Sequence, residues 1–488
     1  MRIVLAGSGQ TVSRWTPEDG ADRAPSPSSL RAEAARKALG DLREFDVLAI
    51  VRTTEDSVPT SPFPFGRDNN PPGTLARDLG LTVGEALYHK PGGQSPQELV
   101  SEMANRIADG EFESALVVGA EATAAQKAAL KSGLTLDWND DADLPFEDRG
   151  IDLSWVSPAE LSHGLITPMQ YYGLMERRLA HERGHGRESH RRAMAALFAP
   201  FAQVAAANPF AQFPEAHPED FLAEPSTANY AVADPYLKWH VAQDAVNLGA
   251  AVLLMSEAKA DALGLAERVY LQGGGNASDL WLSQRPDVAH SWAMHAAMDL
   301  ARDATGIATA ELSALDLYSC FPIAVWNGLE ALGARPDISL TVTGGLPFFG
   351  GPGNNYPLHA IAEMFTRLQS GGRGLVLANG GWTSKEAVGV YSGRPVEFVP
   401  VQTAPPPNKS VDVVTEGEGM IETYTFTRNR DGSPKLGTAF LRTEAGQRIL
   451  ATVSGEALTE LAGLDDAAIG KPATVFARNG IGQLSFRS

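Results

Sequence analysis

One thiol is available for chemistry in this chain, because Cys320 is the only cysteine among 488 residues. It follows the apolar run Leu312 to Leu317 and precedes Pro322, which predicts a strand end with the thiol on the turn beyond it. A glycine-rich stretch comes next, Gly344 to Asn355 (GGLPFFGGPGNN), and then a histidine, His359. A thiol at a strand end, a glycine loop and an imidazole are the parts of a Cys/His acyl-transfer site. The imidazole takes the proton, the thiolate attacks, and backbone N–H groups hold the oxyanion. The same residues also suit a structural role. A lone cysteine is among the most buried residue types, and glycine loops make tight turns. Residue types alone leave both readings open.

The totals narrow the classes. A chain of 488 residues has room for two to four domains at roughly 100–200 residues each. Its hydrophobic share of 43% and charged share of 20% are those of a globular protein. One cysteine excludes an internal disulfide, and no Cys/His group has the spacing of a zinc site. A net charge of −19 argues against a nucleic-acid partner. The first residues, MRIVLAGSGQ, lack the basic flank and long apolar segment of a signal peptide. No apolar run reaches the ~20 residues of a membrane span. The expected location is the cytoplasm.

Strands must carry these groups. Arg2 to Ala6, Phe45 to Val51, Ser114 to Gly119 and Arg268 to Gln272 read as apolar strands, separated by helical patterns. Ser28 or Ser29 is an expected cap for a helix through Leu39. Ser95 with Glu98 reads as a capping box for a helix whose buried face carries Leu99, Met103 and Ile107, ended by Gly110. The alternation gives an α/β class. Thr123 to His240 is richer in helices and reads as an inserted helical subdomain. Its basic run, Arg177 to Arg192, is expected on a solvated face, and His163, His181, His185 and His190 on the surface. Pro400 to Asn408 reads as a linker, and the alternating short runs beyond it as a small β-barrel.

Five ordered segments together resemble the thiolase superfamily, closest to the sterol-carrier-protein type. They are ANPFAQF (207–213), VNLGAAVLLMSEAKADALGL (246–265), YSCF (318–321), GGLPFFGGPGNN (344–355) and ANGG (378–381). A barrel after such a body resembles the thiolase-like protein type 1 group. The resemblance implies a five-layer αβαβα fold with a helical loop-domain insertion and a C-terminal OB-like β-barrel. The implied divisions are 1–122 with 243–270 as the first thiolase half, 123–242 as the loop domain and 271–395 as the second half. Residues 396–408 would be the linker and 409–488 the barrel. It also implies a coenzyme A thioester as substrate, with no separate cofactor and no metal, and a monomer or homodimer.

Departures from the thiolase pattern fall at the chemistry. Gly93 stands where a thiolase has its nucleophilic cysteine, Gly351 where it has the histidine of its GHP loop, and Ala378 at the cysteine of the fourth loop. Acyl transfer to the usual cysteine is therefore excluded. The expectation is that Cys320 has become the nucleophile with His359 as its base, and His89 as a second candidate base. Asn354, Asn355, Asn379 and the backbone around Gly351 are the expected oxyanion and substrate contacts. The function this implies is an acyltransferase of the acetyl-CoA acetyltransferase type, acting on an acyl- or β-ketoacyl-CoA in lipid metabolism. The alternatives are a non-catalytic acyl-CoA binder and a thioester hydrolase.

Overall fold

The structure, a computed structural model, describes residues 1–152 and 154–486. Ten strands form one continuous path. They are β1 (Ile3–Val12), β2 (Glu44–Ile50), β3 (Thr82–Tyr88), β4 (Ser114–Ala122), β5 (Glu147–Asp148), β6 (Asn247–Ser256), β7 (Val269–Ser278), β8 (Leu312–Leu317), β9 (Arg373–Gly380) and β10 (Lys385–Ser392). Their order is β5-β3-β2-β4-β6-β1-β7-β10-β9-β8. The path has two halves of like design. In one, β6 runs antiparallel between β4 and β1; in the other, β10 runs antiparallel between β9 and β7. They meet where Ile3–Leu5 of β1 pairs with Val269–Leu271 of β7.

Strand residues alternate between two apolar layers, as the two-residue side-chain period requires. On β1, Ile3 and Leu5 join the cluster that holds two central helices, Ser95–Ala108 and Tyr356–Leu368. Val4 between them joins the outer cluster under helix Pro27–Leu39. That outer helix lies very close. A Cβ on Gly7 or Gly9 would sit 2.1 Å from the carbonyl oxygen of Ala38 or Ala34. On the other half, Val388 and Val390 of β10 face the cluster of the outer helix Trp292–Thr305, while Tyr391 faces the central helices. The result is the αβαβα layering.

The insertion contributes helices Thr123–Ser132, Pro158–Ser162, Pro168–Glu182, Arg187–Ala207 and Glu219–Ala223. Its basic run is solvated in part, with His181, Arg183 and Arg192 exposed, but not throughout. Arg177 is buried and pairs with Asp234, Asp465 and Asp466 at 3.0 Å. His163 and His190 are buried too, against the surface placement expected of them. His190 holds Glu176 at 2.7 Å, and the Nε2 of His163 accepts the N–H of Gly482.

Beyond residue 400, β11 (Gln402–Ala404) runs parallel to β7, so the expected linker is partly built into the sheet. A second sheet holds β12 (Val413–Val414), β13 (Gly417–Arg428), β14 (Pro434–Arg442), β15 (Arg448–Val453), β16 (Pro472–Arg478) and β17 (Ile481–Phe486). Contact between β15 and β17 closes five of them, β13 to β17, into a barrel, with helix Gly455–Leu464 between its third and fourth strands. Neither that helix nor β17 is among the elements expected from the sequence.

Two cap assignments also change. Ser26 caps the first helix and exchanges hydrogen bonds with Ser29, leaving Ser28 to Asp68. The central helix starts at Ser95 but has no side-chain cap; the Ser95 hydroxyl turns back to the Lys90 carbonyl, and the helix stops at Ala108. Among the described residues no helix is long and apolar enough to cross a membrane.

Candidate functional site

The sequence-predicted residues gather around the N-terminal ends of the two central helices. The loops that lead into these helices are tied together, since the N–H of Gly92 donates to Asn354 Oδ1 at 2.9 Å. Gly93 follows directly. A Cβ built there would fall 2.3 Å from the carbonyl oxygen of Asn379 and 2.5 Å from the hydroxyl of Tyr318. Real Cβ atoms do not approach so closely, and one of the two obstacles is backbone. Tyr318 thus fills the space in which a side chain at position 93 would lie, and Tyr318 itself is buried.

Cys320 sits on the turn between β8 and helix Pro322–Leu332, as expected, and is 7% exposed. Its sulfur lies 3.9 Å from Asn379 Nδ2, and that amide also donates to the Tyr172 hydroxyl at 3.0 Å. Tyr172 stacks on Phe321 with ring centroids 4.4 Å apart. Burial pushes the thiol up to about 12, the buried Glu386 carboxyl adds to the rise, and only the Tyr172 hydroxyl and nearby backbone oppose it. Such a thiol is protonated at neutral pH and is a weak nucleophile.

The expected pair of Cys320 with His359 is not formed. His359 lies in the first turn of helix Tyr356–Leu368, fully buried, and its Nδ1 is hydrogen-bonded to Gln10 Oε1 of β1 at 2.8 Å. Its other face meets Phe349, and its Nε2 has no partner. Burial alone lowers its pKa to about 3. His89 is also buried. Its Nδ1 faces Arg149 at 3.1 Å, and burial, helped by that guanidinium, lowers it to about 4. Neither imidazole is hydrogen-bonded to the thiol.

The amide side chains are likewise engaged. Asn354 Nδ2 donates to the Arg52 carbonyl and to Ser57 Oγ, and Asn355 Nδ2 donates to the Gly119 carbonyl. The N–H of Gly351 donates to the Gln243 carbonyl at 2.8 Å. Each has a structural partner in place of an open oxyanion position. Asn379 is the one of the set that touches Cys320.

The family model described as the thiolase-like protein type 1 additional C-terminal domain matches residues 399–478. A monomeric SCP2-thiolase like protein type 1 from Mycobacterium smegmatis is 32% identical in sequence, with 99% of both chains covered and a TM-score of 0.81. The chain belongs to the SCP2-thiolase-like type 1 family. Two other solved structures share the fold at lower identity. An Ltp2-ChsH2(DUF35) aldolase is 19% identical over 81% of this chain and 99% of its own, with a TM-score of 0.57. An acetyl-CoA acetyltransferase from Syntrophomonas wolfei is 16% identical over 80% of this chain and 99% of its own, with a TM-score of 0.56. No curated protein matches the sequence.

Within this type 1 thiolase-like body, four more residues surround the Cys320 site; the sequence reads Tyr172 and Trp382 as core aromatics, with a loop tryptophan able to wall an acyl pocket, and gives Tyr318 and Glu386 no role there. Tyr172 is contributed by the insertion, Tyr318 by the end of β8, and Trp382 and Glu386 by the β9–β10 hairpin. Trp382 stacks on Tyr171 at 4.8 Å and meets Trp155 and Tyr172 edge-on at 5.0 and 6.3 Å. Glu386 is fully buried, neither of its oxygens has a partner, and burial raises its pKa well above the ordinary carboxyl value. Tyr318 adjoins the thiol within the YSCF segment and carried a signal that could have been used; the other three come together only through the fold.

Proposed function

We propose that this thiolase-family protein binds an acyl-CoA-type thioester and does not form the acyl-enzyme of a thiolase. The observation that carries the reading is the Tyr318 hydroxyl, which stands where a side chain at position 93 would be. The position has lost its nucleophile and also the room for one. Cys320 does not compensate as a ready thiolate, because it is buried, protonated and without an imidazole partner. Support for a coenzyme A thioester comes from the acetyl-CoA acetyltransferase that shares the fold. The Mycobacterium smegmatis relative is monomeric, and we extend this assembly state, with a cytoplasmic role in lipid metabolism, to the present chain.

A second reading, acyl transfer through Cys320, is favoured by one observation. Thiol, Asn379 amide and Tyr172 hydroxyl form a connected polar group, and a hydroxyl beside a thiol can relay a proton. Incubation with acetyl-CoA and acetoacetyl-CoA, followed by intact mass and calorimetry, tests the two. Binding with no mass gain and unchanged thioester is the expected result. An acyl adduct that vanishes in Cys320→Ala would replace the binder with the enzyme.

A further inference from the structure

The hairpin between β9 and β10 is held in a strained shape. Gly381, Trp382 and Thr383 have φ values of 54°, 58° and 63°. Glycine takes this left-handed region freely, but a bulky residue followed by a β-branched one does not. Strain of this kind persists only where surrounding contacts enforce it, and it concentrates at functional sites. The contacts are present. The Thr383 N–H donates to Asn379 Oδ1 at 3.2 Å, and Arg285 donates to Thr383 Oγ1 at 2.6 Å and to the Trp382 carbonyl at 3.1 Å. Asn379 is the residue that touches Cys320, so the strained turn and the thiol share a partner.

Outside this turn lies a polar cavity of about 220 Å³, with Gln94, Asp152, Ser154, Ser278, Lys385 and Glu386 in its wall. Two observations connect it to the thiol. Glu386 belongs both to this wall and to the charge environment of Cys320. The segment carrying Asp152 and Ser154 ends in Trp155, which lies against the turn, since a Cβ on Gly381 would be 3.1 Å from Trp155 Cβ. From the cavity side inward the aromatic series runs Trp155, Trp382, Tyr172, and Tyr172 touches Cys320. Trp382 is partly exposed, and Tyr172 only 3%. The Trp382 indole N–H is buried with no partner, so that leaving its present position breaks no hydrogen bond of the side chain.

We propose that the cavity is the outer chamber of the Cys320 site and that Trp382, on its strained turn, is the door between them. Relaxation of the turn swings the indole away and opens a path from the chamber to Tyr172 and the thiol. The ligand that enters is the thioester end of the acyl-CoA, and in this the inference rests on the proposed function. The polar wall selects acyl groups with hydroxyl or carbonyl substituents over plain alkyl chains.

Cys320 is the sole thiol, so intact mass reads its alkylation without ambiguity. The rate with N-ethylmaleimide is expected to rise about tenfold or more in Trp382→Ala, because access limits a buried thiol. It should stay near wild type in Trp382→Phe. Adding Ser278→Trp to Trp382→Ala, which fills the chamber, should return the rate toward wild type. Trp382→Leu supplies the same reading if the alanine variant fails to fold, as judged by circular dichroism. Alkylation at the wild-type rate in folded Trp382→Ala or Trp382→Leu would overturn the door, and acceleration untouched by Ser278→Trp would overturn the chamber as its route. Alkylation needs no thioester, so it judges the door apart from the ligand. Acetoacetyl-CoA that binds yet fails to slow alkylation of Trp382→Ala would sink the chamber as its site while leaving the binding function intact.

Discussion

At the scale of single residues, Gly93 was legible in the sequence as a departure from the thiolase pattern, and what occupies the space beside it was not. Gly93 could be aligned by its distance from Gly110 and Glu121, but nothing local says that Tyr318, 225 positions on, fills the gap. The packing has a consequence for repair. Gly93→Ala should lower stability by about 1–3 kcal/mol in urea unfolding, the usual cost of an overpacked interior. Gly93→Cys should be destabilised at least as much and still gain no acyl mass from acetyl-CoA. His359 shows a second failure: its partner could not be read, because Gln10 is 349 residues away in sequence. Buried neutral at a pKa of about 3 against an ordinary 6.5, it takes up a proton only when the chain unfolds. Its contribution is whole above pH 6.5 and is lost as pH falls from there toward 3. His359→Gln should therefore lose less stability than wild type between about pH 7 and pH 4.5, in paired urea melts. The pair is the right measurement because Glu121, raised to about 7 by burial, shifts the whole curve the other way. An equal loss in both proteins would show that His359 does not carry this acid sensitivity.

At the scale of elements, periodicity located β1, β2, β4, β7, β8 and the central helix from Ser95, and missed β3 and β10. Leu99, Met103 and Ile107 do form one buried face. Periodicity did less well with charge. Runs of arginine and histidine look solvated in one dimension, yet Arg177 and His190 are buried because their carboxylate partners arrive from elsewhere in the fold. The barrel's attachment is a second example. Arg448, fully buried on β15, donates to the carbonyls of Leu282, Ser283 and Arg285 while holding Glu422 on β13. Thr423 and Thr425 add hydrogen bonds to the carbonyls of Leu174 and Asp234. Arg448→Met should cost about 3 kcal/mol, since removing one partner leaves a carboxylate and several carbonyls desolvated. Urea unfolding would report the loss, and a change under about 1 kcal/mol would mean that the threonine contacts alone hold the barrel.

At the scale of the whole molecule, the layered fold was reached through five short segments rather than through composition, which fits many α/β proteins equally well. What the segments could not convey is how the barrel and the body fit. The barrel rests on the helical insertion and on the 282–285 turn, so this chain supplies its own neighbour there. In light scattering after size exclusion the protein should run at its chain mass of 51.8 kDa. A mass near twice that value would contradict the monomer proposed above.

The stretch before the barrel has a mechanical meaning. Val401 exchanges two hydrogen bonds with Asn105 of a central helix, at 2.8 and 2.9 Å, and Gln402–Ala404 is stitched to β7 directly after. Force applied at the C-terminus therefore meets the barrel first and then an anchor. Pulled between two beads, the barrel should peel away and unravel in one early step, releasing about 300 Å of chain at roughly 3.5 Å per residue. The tension would then halt at Asn105, on a helix packed from both sides, and the thiolase-like body should survive until a distinctly higher load.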